Sequence, residues 1–230
     1  MDPKKLFFDK RLNDHCIYCG AIPNSREHVP SRVFLDKPYP SNLPVVKSCF
    51  NCNHKFSKDE QYVACVIECV VQGTTLPNEN FRIVIAKTLR RSQGLGKLIG
   101  QGKILDRNGK QYWTVDLNRM KSILIKLAQG HLHFELASPP SEEPILCQFQ
   151  PLESMTHEEQ NDFFTLDTSS QGLFPEIGSR AFGNAFTGDP SAHPQWHEVQ
   201  PGRYKYAVGQ DGSWVKIVLR EYLACLVAWD

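Results

Sequence analysis

The chain has 230 residues, 41% of them hydrophobic, and a formal charge of +1, enough apolar material for a substantial core in one large or two small domains. No apolar run approaches the roughly 20 residues that span a bilayer, and Met1-Asp2-Pro3-Lys4-Lys5 is no apolar signal segment; a soluble cytoplasmic protein with no membrane partner is expected. The balanced total hides a polarity: residues 81–130 carry 11 Lys/Arg against 2 Asp/Glu, whereas residues 131–230 carry 5 against 14.

In chain order, the first elements are set by cysteine spacing. Cys16-Ile17-Tyr18-Cys19 and Cys49-Phe50-Asn51-Cys52 enclose a 29-residue segment. Each Cys-x2-Cys puts two thiolates on one tight turn, so the two turns together complete a tetrahedral sulfur site for Zn²⁺. Two disulfides are the alternative, which a reducing compartment disfavours. His15, beside Cys16, reads as a flanking polar residue because four cysteines already fill the site. The enclosed stretch from Ile17 to Val46 is studded with Pro23, Pro30, Pro38, Pro40 and Pro44, fitting two short strands and a long loop. Ser57-Lys58-Asp59-Glu60 reads as a capping box opening an apolar helix to about Gln72. Cys65, Cys69, Cys147 and Cys225 lie in apolar surroundings and read as small buried residues.

Between and after the cysteine pairs stand Arg26-Glu27-His28-Val29-Pro30, Asn42-Leu43-Pro44-Val45-Val46 and Asn53-His54. In this order, over about residues 14 to 60, the chain resembles the HNH endonucleases, the ββα-metal nucleases whose zinc branch carries Cys-x2-Cys twice. The resemblance implies a DNA phosphodiesterase with His28 as general base and Asn42 pinning the loop between the strands. Glu27 and Asn53, with His54 in reserve, would present ligands to a catalytic Mg²⁺ or Mn²⁺, since oxygen ligands with open water positions suit those ions. An imidazole's ordinary pKa suits the base's task. The chain departs from the family pattern in three places: Glu27 stands where Asp is usual, Asn53 where His is common, and Phe56 where a lysine is expected. Lys55 or Lys58 would then contact phosphate, as would Arg26 and Arg32.

Farther along, Gly73 to Asn80 makes a break, and Phe81 to Arg91 reads as a helix with a basic C-terminal end. Residues 92–110 read as a Gly-rich connection whose glycines let backbone approach phosphate. Arg90, Arg91 and Lys97 are its candidate nucleic-acid contacts, with solvated helix faces as the equal alternative. Tyr112 to Val115 suggests a short strand. Leu117, Met120, Leu124, Leu127 and Ala128 recur at helical spacing until Gly130. His131 and His133 follow in strand-like alternation and read as solvent-facing, as do His193 and His197 in a Pro-rich loop. Residues 137–144 and 187–202 are Pro-rich loops, and Gly202 to Trp229 reads as an antiparallel hairpin or meander turning at Gly209 to Gly212.

The expectation is therefore an α+β protein: residues 1–72 an HNH module with its following helix, residues 73–230 an α+β extension that positions substrate or a partner. The leading function is a metal-dependent DNA endonuclease, in the setting of restriction or anti-phage defence. A non-catalytic, zinc-scaffolded nucleic-acid-binding module is one alternative. Another is a nuclease subunit switched on by a partner protein, such as an ATPase, through the acidic C-terminal region. A homodimer would offer two active sites for the two strands of a duplex.

Overall fold

The computed structural model describes residues 15–136, 143–166, 196–209 and 212–229. His193, residues 137–142 of one Pro-rich loop, residues 187–195 of the other and residues 210–211 of the C-terminal turn lie outside them. Within these residues the chain is α+β, ending in antiparallel strands. The elements in order are β1 (Ser25–His28), β2 (Val45–Ser48), α1 (Phe50–Gln72), α2 (Ile83–Arg91), α3 (Gln93–Gln101), β3 (Lys103–Leu105), β4 (Gln111–Trp113), α4 (Leu117–Leu136), β5 (Leu146–Pro151), α5 (His157–Phe164), β6 (His197–Gln200), β7 (Tyr204–Val208), β8 (Trp214–Leu219) and β9 (Leu223–Ala228). Two compact units result, Met1–Lys55 with Leu124–Asp230, and Phe56–Ile123. Their divisions fall inside α1 and α4, a different partition from the expected boundary at residue 72.

The first unit holds the β1–β2 hairpin and a five-stranded antiparallel sheet in the order β5-β9-β8-β7-β6. The strict alternation of β8 and β9 explains the layers. Val218 and Ala224 face α5, where Phe163 packs with them and with Leu152, Met155, Phe164, Trp196 and Leu226. Thr156 and Glu159 form the capping box that starts α5. On the opposite face Tyr204, Tyr206, Val215, Ile217, Leu219, Cys225 and Val227 are buried, and the C-terminal half of α4 reaches them. His131 lies 2.8 Å from the Tyr204 hydroxyl and stacks on Tyr206 at 3.6 Å, while the Tyr206 hydroxyl donates to Glu135.

These contacts correct three sequence expectations. Gly130 does not stop α4; the helix runs on to Leu136, so His131 and His133 are buried helical residues rather than solvent-facing strand residues. A glycine is used there for proximity: a Cβ at Gly130 would stand 2.9 Å from Cγ2 of Val29. His197 is likewise buried, on β6, with its ring 5.2 Å from that of Tyr206. Burial holds His133 down at about 4, so it is neutral at physiological pH.

The loop after β1 is hooked to the C-terminal sheet. Asp36 N–H donates to Gln200 Oε1 (2.8 Å), Gln200 Nε2 donates back to the Asp36 carbonyl (3.0 Å), and Arg203 Nε pairs with the Asp36 carboxylate at 2.5 Å. The cysteine-closed segment and the C-terminal strands thus belong to one unit.

In the second unit the expected helix start at Ser57 is displaced. α1 begins at Phe50 and passes straight through Ser57, and Tyr62 to Cys69 are buried on every side, as an all-round apolar helix requires. The Gly-rich stretch 92–110, expected as a connection, contains α3 and β3. Its glycines serve packing: Gly102 accepts from Thr114 N–H at 2.7 Å, and a Cβ there would stand 2.2 Å from the Thr114 carbonyl oxygen. Asp116 caps α4 by accepting from the N–H groups of Asn118 and Arg119, both 3.1 Å. Arg119 bonds Asp59 at 2.6 Å and lies 4.0 Å over the Tyr62 ring.

Candidate functional site

The first cysteine pair sits on a turn in which Cys16 N–H donates to the Ala21 carbonyl (2.7 Å) and Gly20 N–H donates to the Cys16 carbonyl (2.8 Å). Gly20 adopts φ +72, a left-handed conformation that glycine takes without strain. Ile17 N–H donates to the Lys47 carbonyl (3.2 Å) and so fastens this turn to β2. The second pair forms the first turn of α1. Cys49 stands just before the helix and its sulfur accepts from Cys52 N–H at 3.4 Å, the bond an N-cap side chain makes to the third helical residue. That bond, with hydrogen bonds from the neighbouring thiols of Cys52, Cys19 and Cys16, holds the Cys49 thiol down at about 7 against the cost of burial. Burial pushes Cys16 up, and burial together with the neighbouring thiols pushes Cys52 up.

All four sulfurs lie within 4.8 Å of one another, and Cys19 and Cys49 are 3.7 Å apart. Four sulfurs at about 2.3 Å from a tetrahedral zinc are separated by roughly 3.8 Å, whereas a disulfide needs about 2.05 Å. The four cysteines are unpaired thiols whose spacing fits a structural metal such as zinc.

β1 and β2 pair with Ser25 opposite Ser48, Arg26 opposite Lys47, Glu27 opposite Val46 and His28 opposite Val45. Because side chains alternate along a strand, Arg26, His28, Val45 and Lys47 share one face and Ser25, Glu27, Val46 and Ser48 the other. Two cations directly opposite each other repel unless an anion lies between them. Sequence reasoning missed Lys47, since strand register brings it beside Arg26 and no motif marks it.

Glu27 lies on the buried face. Its Oε1 is 3.2 Å from Lys126 Nζ and accepts from Ser31 Oγ at 3.1 Å; Lys126 Nζ in turn donates to Ser31 Oγ at 3.0 Å and lies 5.8 Å from the Tyr18 ring. The structure therefore brings Glu27 to a lysine of α4 and places it on the strand face away from His28. Lys126 was read from sequence only as part of the basic excess, and nothing local marks it as the partner of a residue 99 positions earlier.

Asn53 joins the first turn of α1 to β1. Its Nδ2 donates to Ser25 Oγ (2.9 Å) and to the Arg26 carbonyl (3.2 Å). A backbone carbonyl only accepts, so the amide orientation is fixed with Nδ2 as the donor. His54 is exposed and stacks on Phe50 at 5.8 Å. Asn42 is exposed in the connection that leads into β2. Arg26, Arg32, Lys55 and Lys58 are exposed, Arg32 lying 5.2 Å over the Tyr39 ring. Arg90, Arg91 and Lys97 are exposed on α2 and α3 of the second unit.

The Glu27 carboxylate, expected as a ligand of a catalytic Mg²⁺ or Mn²⁺, is instead engaged by Lys126 and Ser31. No helix among the described residues is long and apolar enough to cross a membrane. No family model, curated protein or solved structure matches the chain.

Proposed function

We propose that the chain is a divalent-cation-dependent endonuclease that hydrolyses DNA phosphodiester bonds, with His28 taking the proton of the attacking water. The observation that carries this reading is the β1–β2–α1 succession closed by four thiols, with His28 on a strand face that also bears Arg26 and Lys47. The resemblance to the HNH nucleases supplies the reaction class.

In this reading the four thiolates hold Zn²⁺ as a closed structural site, which keeps the hairpin and the first turn of α1 in register. Arg26 and Lys47 hold the phosphate, and their mutual repulsion is relieved by the anion. His28 lies two residues along β1 from Arg26 and removes the proton from water aligned with the scissile bond. Asn53 fixes the start of α1 against β1 and, with His54, offers ligands to the catalytic cation. A bound Mg²⁺ or Mn²⁺ would stabilise charge on the non-bridging oxygen and on the leaving group. Glu27 acts by position: paired with Lys126, it anchors the strand that carries His28. A role in restriction or anti-phage defence is the setting the resemblance suggests.

The Glu27–Lys126 pair also favours a second reading, a non-catalytic nucleic-acid-binding module, because it takes from the cation site the carboxylate that the resemblance would place there. Incubation of the zinc-loaded protein with supercoiled plasmid separates the two. The nuclease reading expects nicked or linear product when Mg²⁺ or Mn²⁺ is added and none from the zinc-loaded protein without an added cation. Intact plasmid under every cation, from folded protein that nonetheless retards DNA in a gel, favours the binding module.

A further inference from the structure

The second unit carries a concentration of unmatched positive charge. Between Glu79 and Asp106 there is no acidic residue. Lys87, Arg90 and Arg91 on α2, Lys97 on α3, and Arg107 and Lys110 at the β3–β4 turn are exposed, and none of the six forms an ion pair with a described residue. On α2, Ile83, Lys87, Arg90 and Arg91 follow helical spacing on the side away from the buried Ile85, Ala86 and Leu89.

The β3–β4 ribbon adds a second, independent feature. Its base is fixed: Lys103 Nζ donates to the Gly73 carbonyl at 2.6 Å, and Thr114 closes on Gly102. Its turn is fixed too, since Asp106 Oδ1 accepts from the N–H groups of Asn108 and Lys110, both 2.8 Å, and Gly109 takes φ +78. Between base and turn the ribbon bears apolar and aromatic surface that its own fold leaves uncovered. Ile104 and Tyr112 are paired on one face at 54% and 48% exposure, and Leu105 on the other is 61% exposed. Lys110 Nζ lies 5.5 Å from the Tyr112 ring.

We infer that the β3–β4 ribbon and the outer face of α2 form a nucleic-acid-binding surface outside the cysteine-closed module. The exposed cations meet phosphates and Tyr112 packs on a base or sugar. Cations alone would serve any polyanion. The exposed aromatic ring beside a lysine selects nucleic acid, whose bases offer flat faces next to each phosphate. The inference rests on the reading of DNA as substrate and is independent of catalysis by His28.

The test uses zinc-loaded His28→Ala protein in buffer without Mg²⁺, Mn²⁺ or chelator, so that binding is read without cleavage, by fluorescence anisotropy on labelled single-stranded and duplex oligonucleotides across a salt series. Arg107→Glu/Lys110→Glu and Arg90→Glu/Arg91→Glu, each introduced in that background, are expected to weaken binding about 10-fold or more. Each should also lower the slope of log affinity against log salt by about 2. Tyr112→Ala, which leaves charge intact, is expected to weaken binding without changing the slope. Unchanged affinity and slope for either charge-reversed pair overturns the assignment of that element. Equal competition by poly-glutamate or phosphatidylserine vesicles at matched charge overturns the assignment to nucleic acid. Cleavage by wild type together with undiminished binding by both pairs would leave the nuclease reading standing and remove this surface.

Discussion

Lys126→Met is expected to lower the folding stability by about 3–5 kcal/mol, because it leaves the buried Glu27 carboxylate without the ammonium that faces it at 3.2 Å. Chain desolvation is the reason for the size. A charge taken from water and then stripped of its partner keeps its cost and loses its compensation. Glu27→Leu alone is costly for the converse reason, since it strands the Lys126 ammonium among buried groups. The double variant Lys126→Met/Glu27→Leu should recover most of the loss, because two apolar groups of similar volume can replace a buried pair at little net cost. Urea unfolding of the four proteins gives the coupling directly from the midpoints. Independent, additive losses would show that the pair contributes no specific coupling.

The four-thiol site gives the other large effect. One zinc per chain is expected in the purified protein, and Cys49→Ser is expected to abolish tight retention. The hairpin β1–β2 has only four residues per strand and one buried face, too little to stand alone. Binding free energies of structural zinc run to about 10–16 kcal/mol, so the ordering of residues 15–55 is expected to depend on the metal. Metal analysis together with hydrogen exchange checks this: wild type protects the N–H groups of Val46 and Cys52, and Cys49→Ser does not. Equal protection in both proteins would mean that the C-terminal sheet holds the segment without metal. Cys147→Ser is the control, since that cysteine lies on β5 outside the cluster.

What the sequence disclosed, and what it hid, follows from the range of the interactions. The Cys-x2-Cys pairs and the C-terminal meander were legible because their determinants are local: fixed spacing, period-two alternation and turn residues. The start of α1 was not. Its cap is the Cys49 sulfur together with Asn24, whose Oδ1 accepts from Phe50 N–H at 2.7 Å, so the familiar capping box at Ser57 misled. Gly130 was misread as a stop because glycine's usual meaning is conformational, whereas here the missing side chain makes room for Val29. His131 and Glu135 look polar in sequence, and only the arrival of Tyr204 and Tyr206 some seventy residues later makes them interior. In the candidate site, the four cysteines were readable as a motif. The place of Glu27 was set by Lys126, and the pairing of Lys47 with Arg26 by strand register, neither of which a linear pattern encodes.

Plasmid cleavage by wild type and His28→Ala, compared at equal zinc content and with matching circular dichroism, tests the central claim most directly. Cleavage that falls at least about 100-fold in folded His28→Ala, and returns in part when imidazole is supplied, is the predicted result. Cleavage by His28→Ala at the wild-type rate would contradict it.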